Sequence, residues 1–481
     1  MRVCHTIQPV FDDPNLVAFG GLPAVMRLAE QAGLHDLVEQ HVTMPGSAGS
    51  NAAIKVPALV AGMVAGADSI SDMDVLRHGG MGRVFSGLRA ATTLGTHLRA
   101  YRFGHVRQLD AVASRLLVNL AELSPILDGA DQLTYVDVDD TIRETHGYHK
   151  QGAAYGYSKV KGLNALVATI STPTSAPLIA ATRLRKGNVA SAHGAARLIG
   201  DTLATLRKAT TPGLVIVRAD SAYFNHDTIA AITAGGAKFS ITARMNKAVT
   251  GTIATIDEQA WTTIRYPQAV WDEAQQVWIC DAEVAEVPHT AFTSRRQADH
   301  VTARLIVRRV KRLNPNAKTQ SELLPGYRYH AVFTTSTLGL VDAEACHRDH
   351  AIIEAIFADL KDGPLAHAPS GKFTANSAWL VLAAIAFNLT RAAATLADTT
   401  MAKATTATIR RKLVHVPARI ASQTLGRART ATVRRTLISV AARIANQARH
   451  WLLHLPRAWP WQTQLEHLYD TVHSPPAAAV P

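Results

Sequence analysis

The chain has 481 residues, 47% hydrophobic and 18% charged, a balance that excludes a disordered chain and implies several domains. Fifty Lys/Arg against 37 Asp/Glu leave a net charge of +13, which favours a polyanionic partner such as nucleic acid. The three cysteines (Cys4, Cys280, Cys346) lack paired spacing, which excludes a disulfide scaffold and a cysteine zinc finger. The N-terminal stretch has no signal-peptide apolar run, and apolar runs such as Trp379–Phe387 are too short for a bilayer, so a soluble cytoplasmic protein without a membrane partner is expected.

Residues 1–130 are nearly neutral and read as a helical domain. Leu22–Ala32, Val56–Ala67 and Val106–Leu123 carry apolar residues at i, i+3 and i+4, interrupted by the loop Met44–Asn51. DNA-end binding and packing or dimerisation fit this domain equally.

The pattern changes over 131–245. LTYVDVDDT (133–141), GLNALVATIS (162–171) and PLIAATRLRKG (177–187) read as strands, and 189–208 as a helix opened by an Asn cap. GLVIVRAD (213–220) suits a buried central strand, Asn225–Ala234 a helix, and KFSITAR (238–244) a further strand. This order implies an α/β sheet with mixed pairing. Residues 246–340 are Thr-, Val- and Trp-rich, with strand-like pieces and no clear helix. Over 341–400 a helix from about Asp342 to Leu360 is followed by an apolar helix, 376–397.

Residues 401–481 hold twelve Lys/Arg against Glu466 and Asp470, and supply most of the surplus charge. Ile409, Leu413, Val416 and Ile420, then Val433, Leu437, Val440 and Ile444, recur at helical spacing, so Arg410, Arg411, Lys412, Arg434 and Arg435 are expected to project from amphipathic helices toward phosphates. A solvated basic face is the plainer alternative.

Four carboxylates stand out, on two strands and one helix. Asp137 and Asp139 share one face of the first strand, and Asp220 ends another, where α/β sheets expose functional groups. Glu354 lies in a helical segment in which His347, His350, Glu354 and Lys361 fall near one face. Such a set can hold two divalent cations, one activating a nucleophilic oxygen and the other steadying the leaving oxygen. Any single strand-end acid is more commonly a cap or salt-bridge partner.

The motifs VDVDDT (136–141), VIVRADSAYF (215–224) and HRDHAIIEAIFADLKDG (347–363), in this order, resemble the DDE transposases of bacterial insertion sequences, in the branch with a Tyr-x2-Arg-x3-Glu-x6-Lys helix and a β-strand insertion. The resemblance covers about 131–400. It implies a ribonuclease-H-like α/β core (131–245 and 341–400), an inserted β-rich domain (246–340) and helical N- and C-terminal regions (1–130, 401–481).

The resemblance further implies cut-and-paste transposition by hydrolysis and strand transfer at terminal inverted repeats. Double-stranded DNA, both element ends and target, would be the partner, bound by a homodimer. Asp139, Asp220 and Glu354 would hold two Mg²⁺ ions, with Mn²⁺ as a substitute. The family's spacing of Asp before Thr selects Asp139 (with Thr141), leaving Asp137 as the alternative first acid. Lys361 would contact a phosphate. His347 and His350 stand where the signature has Tyr and Arg; they are candidate DNA contacts, with Arg348 as a stand-in. Two other readings remain: DVDDT also fits a haloacid-dehalogenase-like phosphatase with Asp137 as nucleophile, and the chain could be a non-catalytic DNA-binding derivative of a transposase.

Overall fold

The computed structural model describes residues 13–146, 149–264, 270–272, 277–279, 282–311, 327–398, 400–422, 451–455 and 462–473. By packing, the chain divides into two units: 1–112 with 123–125 and 359–481, and 113–122 with 126–358. The segment read as 341–400 is therefore shared between them.

The second unit is built on one ten-stranded mixed sheet. Its first half contains β1 (Leu133–Glu144), β2 (Lys161–Ser171), β3 (Leu178–Lys186), helix α1 (Ala195–Ala209), β4 (Leu214–Ala219), helix α2 (His226–Ala234) and β5 (Lys238–Thr242). In space these strands run β3-β2-β1-β4-β5. β2 is antiparallel to both β1 and β3, while β1, β4 and β5 are parallel. The sequence explains the centre. Val136 and Val138 of β1, and Ile216, Val217 and Ala219 of β4, are buried, so an apolar strand lies where helices cover the sheet. The side chain of Asn225 accepts from the Thr228 N–H and starts α2.

The 246–340 region differs from its expected form in two ways. It contains a short helix, α3 (Lys247–Ile253), whose N-cap Asn246 accepts from Val249 N. Its strands β6 (Thr262–Ile264), β7 (Ala282–Ala291), β8 (Val301–Lys311) and β9 (Tyr327–Thr334) belong to the ten-stranded sheet, while Val270–Asp272 and Val277–Ile279 pair only with each other. β9 pairs antiparallel with β5, so the insertion continues the core sheet beyond its edge. Pairing of this kind satisfies the backbone groups that an exposed edge strand would leave open.

After β9 comes α4 (Leu340–Arg348), a tight turn at Asp349–Ala351, and α5 (Ile352–Lys361). The single helix expected from Asp342 to Leu360 is thus broken at the residues that make the contacts described below.

The other unit is organised around the helix Phe373–Ala397, against which Leu22–Gln31, Ala52–Val64, Ala91–Ala100 and Gln462–His473 pack. This helix is longer than the Trp379–Phe387 run suggests, and by length and composition it could cross a membrane. However, 89% of its most apolar window is buried within the protein. Its Ala-rich face permits close approach, and Trp379 Nε1 donates to Pro364 O at 2.6 Å.

The basic region departs from its predicted helices. Thr406–Ile409 and Arg410–Val414 are helical, whereas Ala418–Ser422, carrying Ile420, is a strand paired with Leu16–Val17 and Trp451–His454. The apolar positions from Val433 to Ile444 lie outside the described residues.

Candidate active site

β1 and β4 set the site through their register. Asp137 stands beside Arg218 and Val138 beside Ala219, and one residue further along each strand come Asp139 and Asp220. Parallel neighbours therefore deliver two carboxylates to one end of the sheet centre.

Asp137 is fully buried and forms a forked pair: Arg218 Nε donates to Oδ1 and Nη2 to Oδ2, both at 2.7 Å. The guanidinium lies 4.1 Å from the centre of the Tyr135 ring, and Nη1 donates to the Cys346 carbonyl at 2.7 Å. His350 Nδ1 is 2.9 Å from Asp137 Oδ1. Burial alone would raise the Asp137 carboxyl, but His350 and Arg218 outweigh it and hold the group below the usual range. With its lone pairs engaged and no exposed surface, Asp137 does not serve as the alternative first metal ligand. An attacking carboxylate of the phosphatase kind would also need access, which Asp137 lacks.

Asp139 is different. Burial, and then the charge of Asp220, push its carboxyl up to about 7, against a 2.7 Å hydrogen bond from the Asp140 N–H to Oδ1. Asp220 reaches solvent and caps the turn Ser221–Tyr223, its Oδ1 accepting from Ala222 N at 2.9 Å. Desolvation raises its pKa, and Asp140 adds to the rise. The charge of His350 opposes the rise at both aspartates. Two oxygen-donor groups thus stand together with too little positive charge nearby, a donor set suited to a hard divalent cation.

Asp140 points to the other face of β1, where Arg185 Nη2 donates to Oδ2 at 2.9 Å and the Tyr223 hydroxyl to Oδ1 at 3.0 Å. Asn164 also donates to this carboxylate. It is a structural acid.

The third acid arrives on α5. Glu354 is exposed and, among the described residues, forms no hydrogen bond or ion pair. It follows His350 by four residues, so the His350–Asp137 and Arg218–Cys346 contacts tie the start of its helix to β1 and β4. The three carboxylates do not close into one cluster with all ligand atoms within 4.8 Å of one another. Among the described residues only His35, Asp36 and Glu39 do so, and these three are exposed on the helix Leu34–His41.

Several expected DNA contacts have other work. His347 is wedged between β5 hydroxyls, with Nδ1 3.0 Å from Ser240 Oγ and Nε2 2.9 Å from Thr242 Oγ1. Burial, His350 and Arg218 lower its pKa to about 3, so the ring is neutral. His350 is engaged with Asp137. Arg348 Nε donates to Glu344, which also binds Arg308 at 3.0 Å. These three side chains hold α4 and the turn that follows it against the sheet.

Lys361 ends α5, seven residues after Glu354, and is partly buried. Arg410 is only 8% exposed, with Nη1 3.4 Å from Thr406 Oγ1 in a buried cluster that includes Asp359. It is not a surface phosphate ligand. Arg411 is exposed and Lys412 partly so, while Arg434 and Arg435 lie outside the described residues.

Sequence reasoning does not single out Arg218, Tyr135, Ser240 or Thr242. A signal for Arg218 exists: it is the one charged residue in the apolar run LVIVRA, and a charge there needs a buried partner.

The family described as transposase DDE domain group 1 matches residues 4–426, nearly the whole chain. No curated protein matches the chain.

Proposed function

The chain belongs to the DDE-domain transposases, and on that premise we propose that it excises and reinserts an insertion sequence by cutting its terminal inverted repeats and joining the 3′ ends to target DNA. The observation that carries this reading is that Asp139, within β1, and Asp220, just past the end of the parallel neighbour β4, each follow the register pair Val138–Ala219, with the Glu354 helix tied to those strands. The strand order β3-β2-β1-β4-β5, with only β2 antiparallel to its neighbours in the centre, supports a ribonuclease-H-like core.

In this reading Asp139, Asp220 and Glu354 hold two Mg²⁺ ions, which supply Lewis-acid activation of the attacking oxygen and charge neutralisation at the leaving oxygen. The chain's own residues do the positioning. Asp139 would have to stand as the carboxylate to serve as a ligand. Arg218 and His350 fix Asp137 and the start of the Glu354 helix, so the third ligand does not have to be ordered during the reaction. Lys361, seven residues after Glu354 in the signature, would contact a phosphate near the scissile bond. DNA is engaged by a homodimer, each copy acting on one end.

The test is cleavage of a duplex carrying the repeats that flank the protein's own locus. Wild type should cut in Mg²⁺ or Mn²⁺ and not in a chelator, and Asp220→Asn should not cut while retaining DNA binding. Cleavage by Asp220→Asn at the wild-type rate would overturn the assignment.

A further inference from the structure

β1 does not end at the acids. It runs on to Glu144, and the segment that leads from it into β2 carries chemistry the catalytic reading does not use. From Ile142 to Lys161 the sequence has four Lys/Arg (Arg143, Lys150, Lys159, Lys161) against Glu144 alone, with tyrosines at 155 and 157 among them.

The geometry makes these residues a surface. Ala154–Tyr155 pairs with Gly162–Lys161 at the edge of the sheet, beside the last pair of β1 and β2, Glu144–Gly162. Lys186, at the end of β3, pairs with Leu163 and is exposed at the same corner. Arg143 shares the face of β1 that carries Asp139, since the two are four residues apart on a strand. Lys150 lies near Arg143, whose charge, after burial, lowers its pKa. The outer end of β1 is five residues beyond Asp139, about 17 Å along the strand.

The tyrosines are presented on a stiff support. The Lys159 N–H donates to Gly156 O at 3.0 Å, closing a turn with Tyr157 near its tip, and Gly187 N donates to Gly152 O at 3.1 Å. A Cβ on Gly156 or Gly187 would run into the carbonyl oxygens of Gly187 and Gly162, so the glycines let three backbone segments stack closely. Lys159 itself has φ +57°, a conformation that lysine adopts only when its surroundings impose it. On this base Tyr155 is 67% exposed, and Tyr157 is entirely so, the most of any large apolar side chain among the described residues.

We propose that this corner is a nucleic-acid subsite in which Tyr157, with Tyr155, stacks on an unpaired base while Lys159, Lys161 and Lys186 contact the adjoining phosphates. Basic side chains interleaved with exposed aromatic faces are the chemistry of single-strand binding. A base inside a duplex already has both faces covered, so the tyrosines gain most from nucleotides that are frayed or single-stranded. The inference rests on the transposase reading for its placement near cut DNA ends, but not for its test.

The test is equilibrium binding of the full-length protein, without divalent metal, to two labelled oligonucleotide duplexes of equal length. One is blunt and one ends in three unpaired nucleotides bearing 2-aminopurine. Wild type should bind the unpaired end more tightly and quench its fluorescence. Tyr155→Ala/Tyr157→Ala should lose that preference, weakening unpaired-end binding about tenfold or more, whereas Tyr155→Phe/Tyr157→Phe should keep it. Lys159→Gln/Lys186→Gln should weaken both duplexes and flatten the salt dependence. Both tyrosines project into solvent, so a thermal melt matching wild type will certify the fold of the variants. Equal binding of both ends by wild type, or an unchanged preference in the double alanine variant, would overturn the proposal. A change in self-association with no change in DNA binding would assign the corner to contact with a second copy instead. A failed cleavage assay alongside a positive result here would remove the catalytic reading and leave this site standing.

Discussion

His347 illustrates how a single side chain can be assigned by its partners when its position in a motif points elsewhere. Both ring nitrogens meet hydroxyls of β5, and burial, with the charges of His350 and Arg218, lowers its pKa to about 3. A histidine whose folded pKa is depressed stabilises the fold fully above the ordinary value of about 6.5 and loses that contribution as pH falls toward the folded value. Stability should therefore drop between pH 6.5 and 4 by up to about 1.4 kcal/mol per pH unit from this residue. His347→Gln, which keeps a donor and an acceptor, should show a shallower fall. Urea unfolding at several pH values measures this, and parallel profiles for the two proteins would contradict the buried neutral ring. The sequence placed His347 and His350 on one helical face, but spacing alone cannot distinguish a face turned to solvent from one turned to the sheet. The deciding partners, Ser240, Thr242 and Asp137, are more than a hundred residues away in the chain.

The element that matters most is the broken helix of α4 and α5. Its interruption at Asp349–Ala351 lets His350 reach Asp137 while the Cys346 carbonyl, at the end of α4, receives Arg218. Arg218 touches no reacting atom and acts by position. Arg218→Lys keeps the charge but loses the fork that binds Asp137 and Cys346 together. That variant should bind DNA as wild type does and cleave about 10- to 100-fold more slowly, since small misplacement of a catalytic group is costly. Arg218→Met should go further and destabilise the unit by about 3–5 kcal/mol, because it leaves Asp137 charged and buried. An Arg218→Lys enzyme with wild-type cleavage would show that the helix is held by other contacts. The strands and helices of this half were largely legible in the sequence, since alternation in β1 and the apolar run of β4 follow directly from burial. The break in the helix was not, because no proline or glycine marks it and its cause is the tertiary pull of Asp137 and Arg218.

At the scale of the whole molecule, the positive charge is unevenly used. Arg410, read as a phosphate contact, lies in the interior near Asp359 and Thr406, and Arg348 is committed to Glu344. Periodicity in a basic segment reports which residues alternate with apolar ones. It does not report whether an arginine's long stem is drawn into a neighbouring polar cluster. Arg410→Ala should thus lower the melting temperature with little effect on the salt dependence of DNA binding. Neutralising Arg411, Lys412, Arg434 and Arg435 together should instead weaken binding to all duplex sequences alike. It should also flatten the slope of log affinity against log salt by roughly three to four units if each meets one phosphate. An unchanged slope would mean that these residues form only a solvated face. The same limit applies to the insertion: its strands were legible as strands, but their continuation of the core sheet depends on the β5–β9 pairing, which no local pattern encodes.

Divalent ions held by Asp139, Asp220 and Glu354 are central to the proposed chemistry, and metal-directed chain cleavage measures that binding most directly. Fe²⁺ bound in place of Mg²⁺ generates hydroxyl radicals with ascorbate and peroxide, which cut the backbone next to the ion. Cuts clustered within a few residues of positions 139, 220 and 354, suppressed by excess Mg²⁺ and lost in Asp139→Asn, are the result predicted. Cuts confined to the exposed His35, Asp36 and Glu39 group, or a pattern unchanged by Asp139→Asn, would contradict it.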